Sequence, residues 1–561
     1  MSKDIQFEMQ GDIVDVVSGD IFFGRVIVKD GRIFGICKES APQDGKTIMP
    51  GLVNAHGHVE SSLLVPSQFA RMAVIHGDVA GIYDPHELAN VCGVDGVWFM
   101  INDAAKVPFK FCFGAPSCVP ATNSFVETAG AELSAVEVIE LLNSGKIGFL
   151  SEVMNAPAVI NKDRKFISMI EAAKKLGLPV DGHCPAISGE ELNAYIGAGI
   201  STDHECTTLS EALEKLNAGL KYILIREGSA AKNFEALHPL LTSHPDRVMF
   251  CSDDIHPHNL IDGHMNVLVK RAMLLGYNPI DVIRCVTLHP VKHYNLQVGL
   301  LQEGDCADFI VVDSLNTVNV INTFIDGKLV SANGRALFNV ESDVTALNKF
   351  VERTVSLEDI KVRAIGDNIR VIGVTNGQLI TTEEIVPATI KDGYVVSDLN
   401  RDMAKLVVVN RYDKETMPAV GFVRGLGIRK GAVASSVAHD CHQIVVAGVD
   451  DSAIVMAINA VMRQRGGLCI VSEDGSINDK SKNYKVDILG LPVGGIMTNE
   501  DAFEVAKKYK DLHAMTQSVG ANVSDLFMAL SFLALSVIGE IKLTDKGLFK
   551  IGDFSHVSLF A

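Results

Sequence analysis

Two histidines separated by a single residue, His56 and His58 in PGLVNAHGHVESS, are the first side chains of this 561-residue chain whose type and spacing could do chemistry. In an extended segment alternate side chains point to the same side, so the two imidazoles converge and can chelate a divalent cation. Further donors of the same kind follow. They are Glu152 in FLSEVMN, His183 in VDGHCP, His204 in STDHEC, and Asp253 with Asp254 in MFCSDDIHP. Each has a plain alternative when taken alone: His183 as a satisfied core histidine, Asp253 as a helix cap. Yet each ends a short apolar run, and repetition of that pattern argues for one common site. Four imidazoles and two carboxylates suffice for two divalent ions that share a bridging oxygen. Such a pair lowers the pKa of a bound water to about 7, and the resulting hydroxide attacks an electrophilic carbon. The carboxylate of Asp253 then serves as proton shuttle from that water to the leaving group.

These residues need elements to position them. Strand-like apolar runs occur at Ile48–Val53, Asp78–Tyr83, Phe109–Phe113, Ile147–Glu152, Pro179–His183, Ile200–His204, Tyr222–Arg226 and Val248–Ser252. Segments of helical period lie between them: Gln68–His76, Ser134–Asn143, Phe166–Leu176, Gly189–Ala198, Thr208–Asn217, Asn233–Leu241 and Gly263–Leu275. The alternation predicts a TIM-like (β/α)8 barrel over residues 50–296, and barrel enzymes carry their chemistry at the C-terminal ends of the strands. The donors fall at those ends. Short strands at Asp12–Val17, Asp20–Val28, Arg32–Cys37 and Thr47–Met49, with strand-like wording at 304–334, predict a small discontinuous β-sandwich domain from residues 1–49 and 297–340. A mixed polar stretch at 341–360 reads as a linker. Residues 361–561 read as an additional C-terminal α/β domain, with strands at Leu406–Val409, Ile444–Val449 and Leu468–Val471 and a buried helix at Leu526–Gly539.

The order HxH, carboxylate, His, His, Asp along the barrel is similar to that of the amidohydrolase superfamily. The longer wording is narrower. MPGLVNAHGHVESSLLVPSQFA, YDPHELANVCG, VDGHCPAISGEELNAYIGAGISTDHECTT, ILIREGSAAKN, CSDDIHPHNLIDGH and VASSVAHDCHQI resemble the adenine deaminase family, over roughly residues 20–500. The resemblance implies that Glu152 bridges two metals, with His56, His58, His183, His204 and Asp253 as the other ligands. It implies iron or manganese, with zinc also able to occupy such a site. It further implies hydrolysis at C6 of adenine to hypoxanthine and ammonia, a purine-salvage reaction in which Asp253 moves the proton, and a homodimer or higher homo-oligomer. One departure stands out: Asn54 replaces the aspartate that many relatives carry two residues before the first histidine, which removes a charged acceptor for that ligand. The purine edge needs polar partners, and the candidates are Asp84, His86, Glu87, Ser117, Arg226, Glu227 and Ser229. Each could equally be a loop residue or a helix cap, as could Glu60. His439, Asp440 and His442 form a possible additional site, either a second contribution to the active site or a separate metal site.

Composition narrows the remaining classes. The net charge of −18 argues against nucleic acid and anionic membranes as partners. The glycine-rich stretch 421–432 lacks the spacing of a phosphate-binding loop. Eleven cysteines without a CxxC pair read as reduced, mostly buried thiols. The first residues contain acids and no apolar stretch of a signal peptide, and a cytoplasmic location is expected. Three alternatives stay open: a deaminase for an N6-substituted adenine, a cyclic-amide hydrolase of the dihydroorotase or hydantoinase kind, and a non-catalytic barrel used as a scaffold. Glu152, where the second group typically has lysine, disfavours that reading, and a full ligand set disfavours the third.

Overall fold

Gly51 divides the first apolar run into two strands with different partners. In the computed structural model, which describes residues 6–40, 45–229, 231–340, 347–378, 380–474 and 483–561, Thr47–Pro50 belongs to an outer sheet and Leu52–Asn54 to the barrel. A side chain at Gly51 would put its Cβ 2.3 Å from Val79, so only glycine allows the chain to cross so close to the second barrel strand. The single strand expected at Ile48–Val53 is therefore two.

The outer sheet has eight strands, four from Phe7–Pro50 and four from Phe309–Ala336. Thr47–Pro50 joins the halves: it runs parallel to Phe7–Asp15 and antiparallel to Phe309–Val312. The sheet curls over its own core, so that Phe7 and Phe324, from non-adjacent strands, stand 5.1 Å apart. Its other face, through Val14, Met49, Ile310 and Val312, packs against the barrel.

Eight parallel strands form the barrel: Leu52–Asn54, Asp78–Tyr83, Lys110–Ala115, Phe149–Val153, Val180–Gly182, Thr202–Asp203, Tyr222–Arg226 and Val248–Cys251. The first five pair consecutively, as do the last three. Ser201 N–H to the Val180 carbonyl (2.9 Å) links the two groups, and Ala55 N–H to the Phe250 carbonyl (3.1 Å) closes the ring. Near-complete burial explains why these runs do not alternate, as in strands covered on both faces. The connecting helices are amphipathic. Ser134 caps Ala135–Asn143 in a reciprocal box with Glu137, and Asp163 caps Arg164–Lys175. The helix expected at Asn233–Leu241 is two short pieces, Phe234–Leu237 and Leu240–Ser243, because Pro239 cannot continue the first. Two helices, His86–Cys92 and Val94–Ala104, follow the second strand and were not anticipated.

The C-terminal region is built on an eight-stranded sheet that includes Met403–Val409, Ile444–Gly448 and Gly467–Asp474, with helix Asp451–Gln464 packed on it. Of the linker expected at 341–360, residues 341–346 lie outside the described residues. The remainder is strapped to this region: Val351 N–H bonds the Arg411 carbonyl (2.8 Å), and Asn459 bonds the main chain of Val355. The expected helix at Leu526–Gly539 ends at Ser531, whose hydroxyl bonds back to the Met528 carbonyl, and turns follow.

The region docks on the rim of the barrel that carries the strand C-termini. Thr498 exchanges main-chain hydrogen bonds with Leu63 (2.8 Å) and Val65 (3.1 Å) after the first strand. Gln443 bonds the Thr128 carbonyl (2.6 Å) and Asp545 the Thr128 N–H (3.0 Å), both in the loop after the third. No helix among the described residues is long and apolar enough to cross a membrane.

Candidate active site

The rim loops bring the expected donors together. Gly57 lets the first strand approach the eighth: a Cβ there would sit 2.9 Å from Asn54 Nδ2 and 3.3 Å from the Asp253 carbonyl. Asn54 contributes by tying the two strands, accepting from Ser252 N–H (3.0 Å) and donating to the Ser252 hydroxyl (2.8 Å). The residue that departs from the family pattern thus holds backbone rather than an imidazole. Asp253 sits in the left-handed region (φ 56°), which aims its carboxylate back over the barrel.

Glu152 is the centre of the constellation. Its Oε1 lies 3.4 Å from His58 Nε2, and its Oε2 lies 2.9 Å from His183 Nδ1 and 3.3 Å from His204 Nε2. Asp253 Oδ1 is 3.4 Å from His58 Nε2 and 3.6 Å from His56 Nε2. The groups His56–His58–Glu152 and Glu152–His183–His204 each present ligand atoms within 4.8 Å of one another, as does His56–His204–Asp253. His56 Nε2 is buried with no hydrogen-bond partner. A buried imidazole nitrogen without a partner beside buried carboxylates is the arrangement a cation completes, so the donor set fits divalent metal.

Electrostatics favours the ligand forms of the two carboxylates and of His56, while the same carboxylates raise His58, His183 and His204 against burial. Burial by itself raises a carboxyl, but hydrogen bonds from His183 and His204 hold Glu152 well below the usual range. Asp253 is likewise held well below it, against burial, by Arg226 and by His56 and His58. Burial, reinforced by His204, lowers His56 and keeps it neutral. Only His183 is appreciably open, its side chain 24% exposed, which marks the accessible side of the site.

The remaining candidates divide into two groups. Asp84, His86 and Glu87 line the cluster: His86 Nδ1 is 2.9 Å from Asp84 Oδ2 and 3.5 Å from Glu152 Oε1. Arg226, Glu227, Ser229 and Ser117 each have protein partners of their own. Arg226 forks onto Glu205 and reaches Asp253 Oδ2 at 2.6 Å, so it supports a carboxylate of the site. Glu227 pairs with Arg271 (2.7 Å) and Lys232 (3.1 Å). Ser229 donates to Asn259 (2.6 Å) and accepts from His256 N–H (2.9 Å), bracing the loop after the eighth strand. Ser117 donates to the main-chain carbonyl of Glu152 (2.7 Å). Glu60 is buried and accepts from Leu88 N–H (3.2 Å) at the start of helix His86–Cys92, a capping role.

The C-terminal turn reaches the same place. His439 Nδ1 and His442 Nε2 grip the two oxygens of Glu87. His442 Nδ1 accepts from Ala438 N–H (3.1 Å), so the proton of the neutral ring is on Nε2, the nitrogen that lies beside Glu87. Against the effect of burial, the two imidazoles hold Glu87 well below the usual carboxylate range. The sequence leaves open whether this turn contributes to the site; in the structure its two histidines lie against Glu87, beside the donor cluster.

Two supporting residues were missed. Glu205, next to His204 in STDHEC, lies 3.4 Å from His204 Nε2 and bonds Arg226. Its position beside a ligand was the available signal. Lys215 was visible as a lysine on the apolar face of helix Leu209–Asn217, beside Ala212 and Leu216. Fully buried, its ammonium donates to Asp203 Oδ2 (2.9 Å), the Cys184 carbonyl (2.7 Å) and Glu211 (2.8 Å), while Asp203 Oδ1 accepts from Cys184 N–H (2.9 Å). Asp203 and Cys184 are the chain neighbours of His204 and His183, so one cation holds two ligand-bearing loops. Removing one partner of such a pair costs about 3–5 kcal/mol. Lys215→Met is expected to lower metal affinity by roughly 10- to 100-fold, read as metal retained on dialysis against a graded chelator. Unchanged retention contradicts the clamp.

A parallel barrel with this donor order at its strand ends defines an amidohydrolase, and the amidohydrolase family model matches residues 47–330. Such enzymes hold a divalent metal centre. The model of the adenine deaminase C-terminal domain matches residues 378–555. Adenine deaminases of Salinibacter ruber (47% identical, 99% of each chain), Sulfurovum sp. (46%, 98% of this chain and 99% of that one) and Methanosarcina barkeri (44%, 98% and 99%) align with nearly the whole chain. The chain belongs to the adenine deaminase family.

Proposed function

We propose that the protein catalyses the hydrolytic deamination of adenine to hypoxanthine and ammonia. One observation carries this reading: the buried Glu152 carboxylate turns one oxygen to His58 and the other to His183 and His204, so a single side chain would serve two cations, in a chain related to adenine deaminases over nearly its whole length. His56, His58, His183, His204, Glu152 and Asp253 would hold the metals. Divalent ions held there make a water nucleophilic near neutral pH and polarise the reacting centre. The donor set has no thiolate, which suits manganese or iron, with zinc as the alternative.

Asp253, ionised and fixed by Arg226, accepts the proton of the attacking water and returns it to the departing amine. Glu87, gripped by His439 and His442, is a fixed acceptor for an N–H of the purine, and Asp84 with His86 continues that wall. The C-terminal region covers the rim and excludes water from the site. The chain divides at about the composite β domain, the barrel and the C-terminal region that follows residue 360. Eleven unpaired thiols suit a reducing, cytoplasmic setting.

The test is turnover by manganese- or iron-loaded protein, with adenine followed by ultraviolet absorbance and ammonia measured in parallel. Conversion to hypoxanthine with equimolar ammonia is expected. Turnover of N6-methyladenine or dihydroorotate in place of adenine would transfer the reading to another substrate, and inertness towards all three would remove it.

A further inference from the structure

The turn that brings His439 and His442 to Glu87 carries between them a residue with no such partner. Asp440 is 6% exposed, and its Oδ2 is buried without a hydrogen bond. The charged groups that act on it most strongly are Glu87, His86, His439 and Glu152, with Glu127 as a further acidic neighbour. Asp440 thus sits buried on a turn whose His439 and His442 both lie against Glu87 of the candidate site.

A buried carboxylate without a donor is costly, because it has lost water and gained nothing in return. Its acidic neighbours Glu87 and Glu152 add repulsion. Burial and Glu87 push the group up to about 6, in the sense expected of a carboxylate awaiting a donor. His439 bonds Glu87 through Nδ1, and His442 lies against the same carboxylate; neither bonds Asp440. The natural partner is an N–H carried by the ligand, and adenine has two kinds: the 6-amino group and the ring N–H.

We propose that Asp440 is a substrate-binding residue, contributed by the C-terminal region, that accepts a hydrogen bond from an N–H of the purine. This rests on the adenine reading above. It also makes the C-terminal region a part of the recognition surface. A hydrogen bond to a charged acceptor in a dry site is worth enough to shift binding by roughly 10- to 100-fold.

The experiment uses the full-length, metal-loaded protein and compares wild type with Asp440→Ala and Asp440→Asn. Adenine kinetics, metal content and Tm are measured, with purine and 9-methyladenine as competitive ligands. Purine lacks the amino group, and 9-methyladenine lacks the ring N–H. The expected result is a rise in KM for adenine of roughly 10- to 100-fold in Asp440→Ala, a smaller rise in Asp440→Asn, two metals per chain throughout, and a Tm equal to or above wild type. Removal of an unpartnered buried charge does not destabilise, whereas loss of a structural ion pair does. Purine binding unaffected by the substitutions assigns the bond to the amino group, and unaffected 9-methyladenine binding assigns it to the ring. Variants with wild-type KM overturn the proposal. So do variants that lose metal or Tm and weaken all three ligands equally, which would make Asp440 structural. A wild type that leaves adenine untouched removes the adenine reading and this inference together; an active wild type with indifferent variants removes only the inference.

Discussion

Glu152→Gln is expected to lower kcat for adenine by roughly 10^3-fold, about 4 kcal/mol of barrier, and to reduce bound metal from two equivalents towards one. The substitution preserves shape and removes charge. Glu152 Oε2 faces His183 at 2.9 Å and His204 at 3.3 Å, while Oε1 faces His58 at 3.4 Å. An amide offers one acceptor and one donor where the carboxylate offers two acceptors, so one of the two cation positions loses its anionic ligand. The amide NH2 would also confront imidazole nitrogens that need their lone pairs for metal. Metal analysis of the purified variant separates this from a purely chemical effect. Two full equivalents of metal together with near-wild-type turnover would contradict the role given to this residue.

Asp253→Asn is expected to lower kcat by roughly 10^2- to 10^4-fold, the range of a lost general base, with KM for adenine changed far less. Asp253 lies against His56 and His58 through Oδ1 and against Arg226 through Oδ2, at 2.6 Å. It is thus ionised and aimed, and asparagine cannot take a proton from that position. Arg226 keeps its two bonds to Glu205, so the variant does not strand a buried guanidinium. The split between kcat and KM is the informative readout, because a residue that acts only in the transition state lowers kcat and kcat/KM together. A variant that binds adenine poorly yet turns it over at the wild-type rate would make Asp253 a recognition residue.

The clustering of the candidate donors was legible because each is local to its strand end. His56 and His58 announce themselves by spacing, and Glu152, His183, His204 and Asp253 each close an apolar run. The β/α alternation carried the barrel for the same reason. What escaped the sequence depends on contacts between distant segments. His439 and Glu87 are 352 positions apart, and no periodicity near either one signals that they meet. The committed state of Arg226 likewise follows from Glu205 and Asp253 lying within reach of one guanidinium, which strand ends alone do not reveal. Boundaries failed where one residue overrides a pattern: Gly51 splits an apolar run between two sheets, and Pro239 breaks a helical one. Lys215 shows the converse. A charged residue on an apolar helix face contradicts the pattern, and here that contradiction marks a buried clamp on two ligand loops.

The central claim is that this chain deaminates adenine at a two-cation site. The most direct test is to strip the protein with chelator and titrate manganese back while recording hypoxanthine and ammonia at each step. The account predicts no turnover in the stripped protein, activity that rises to a break at two equivalents per chain, and equal yields of the two products. Full activity at one equivalent, or a doubly loaded protein that leaves adenine unchanged, would contradict it.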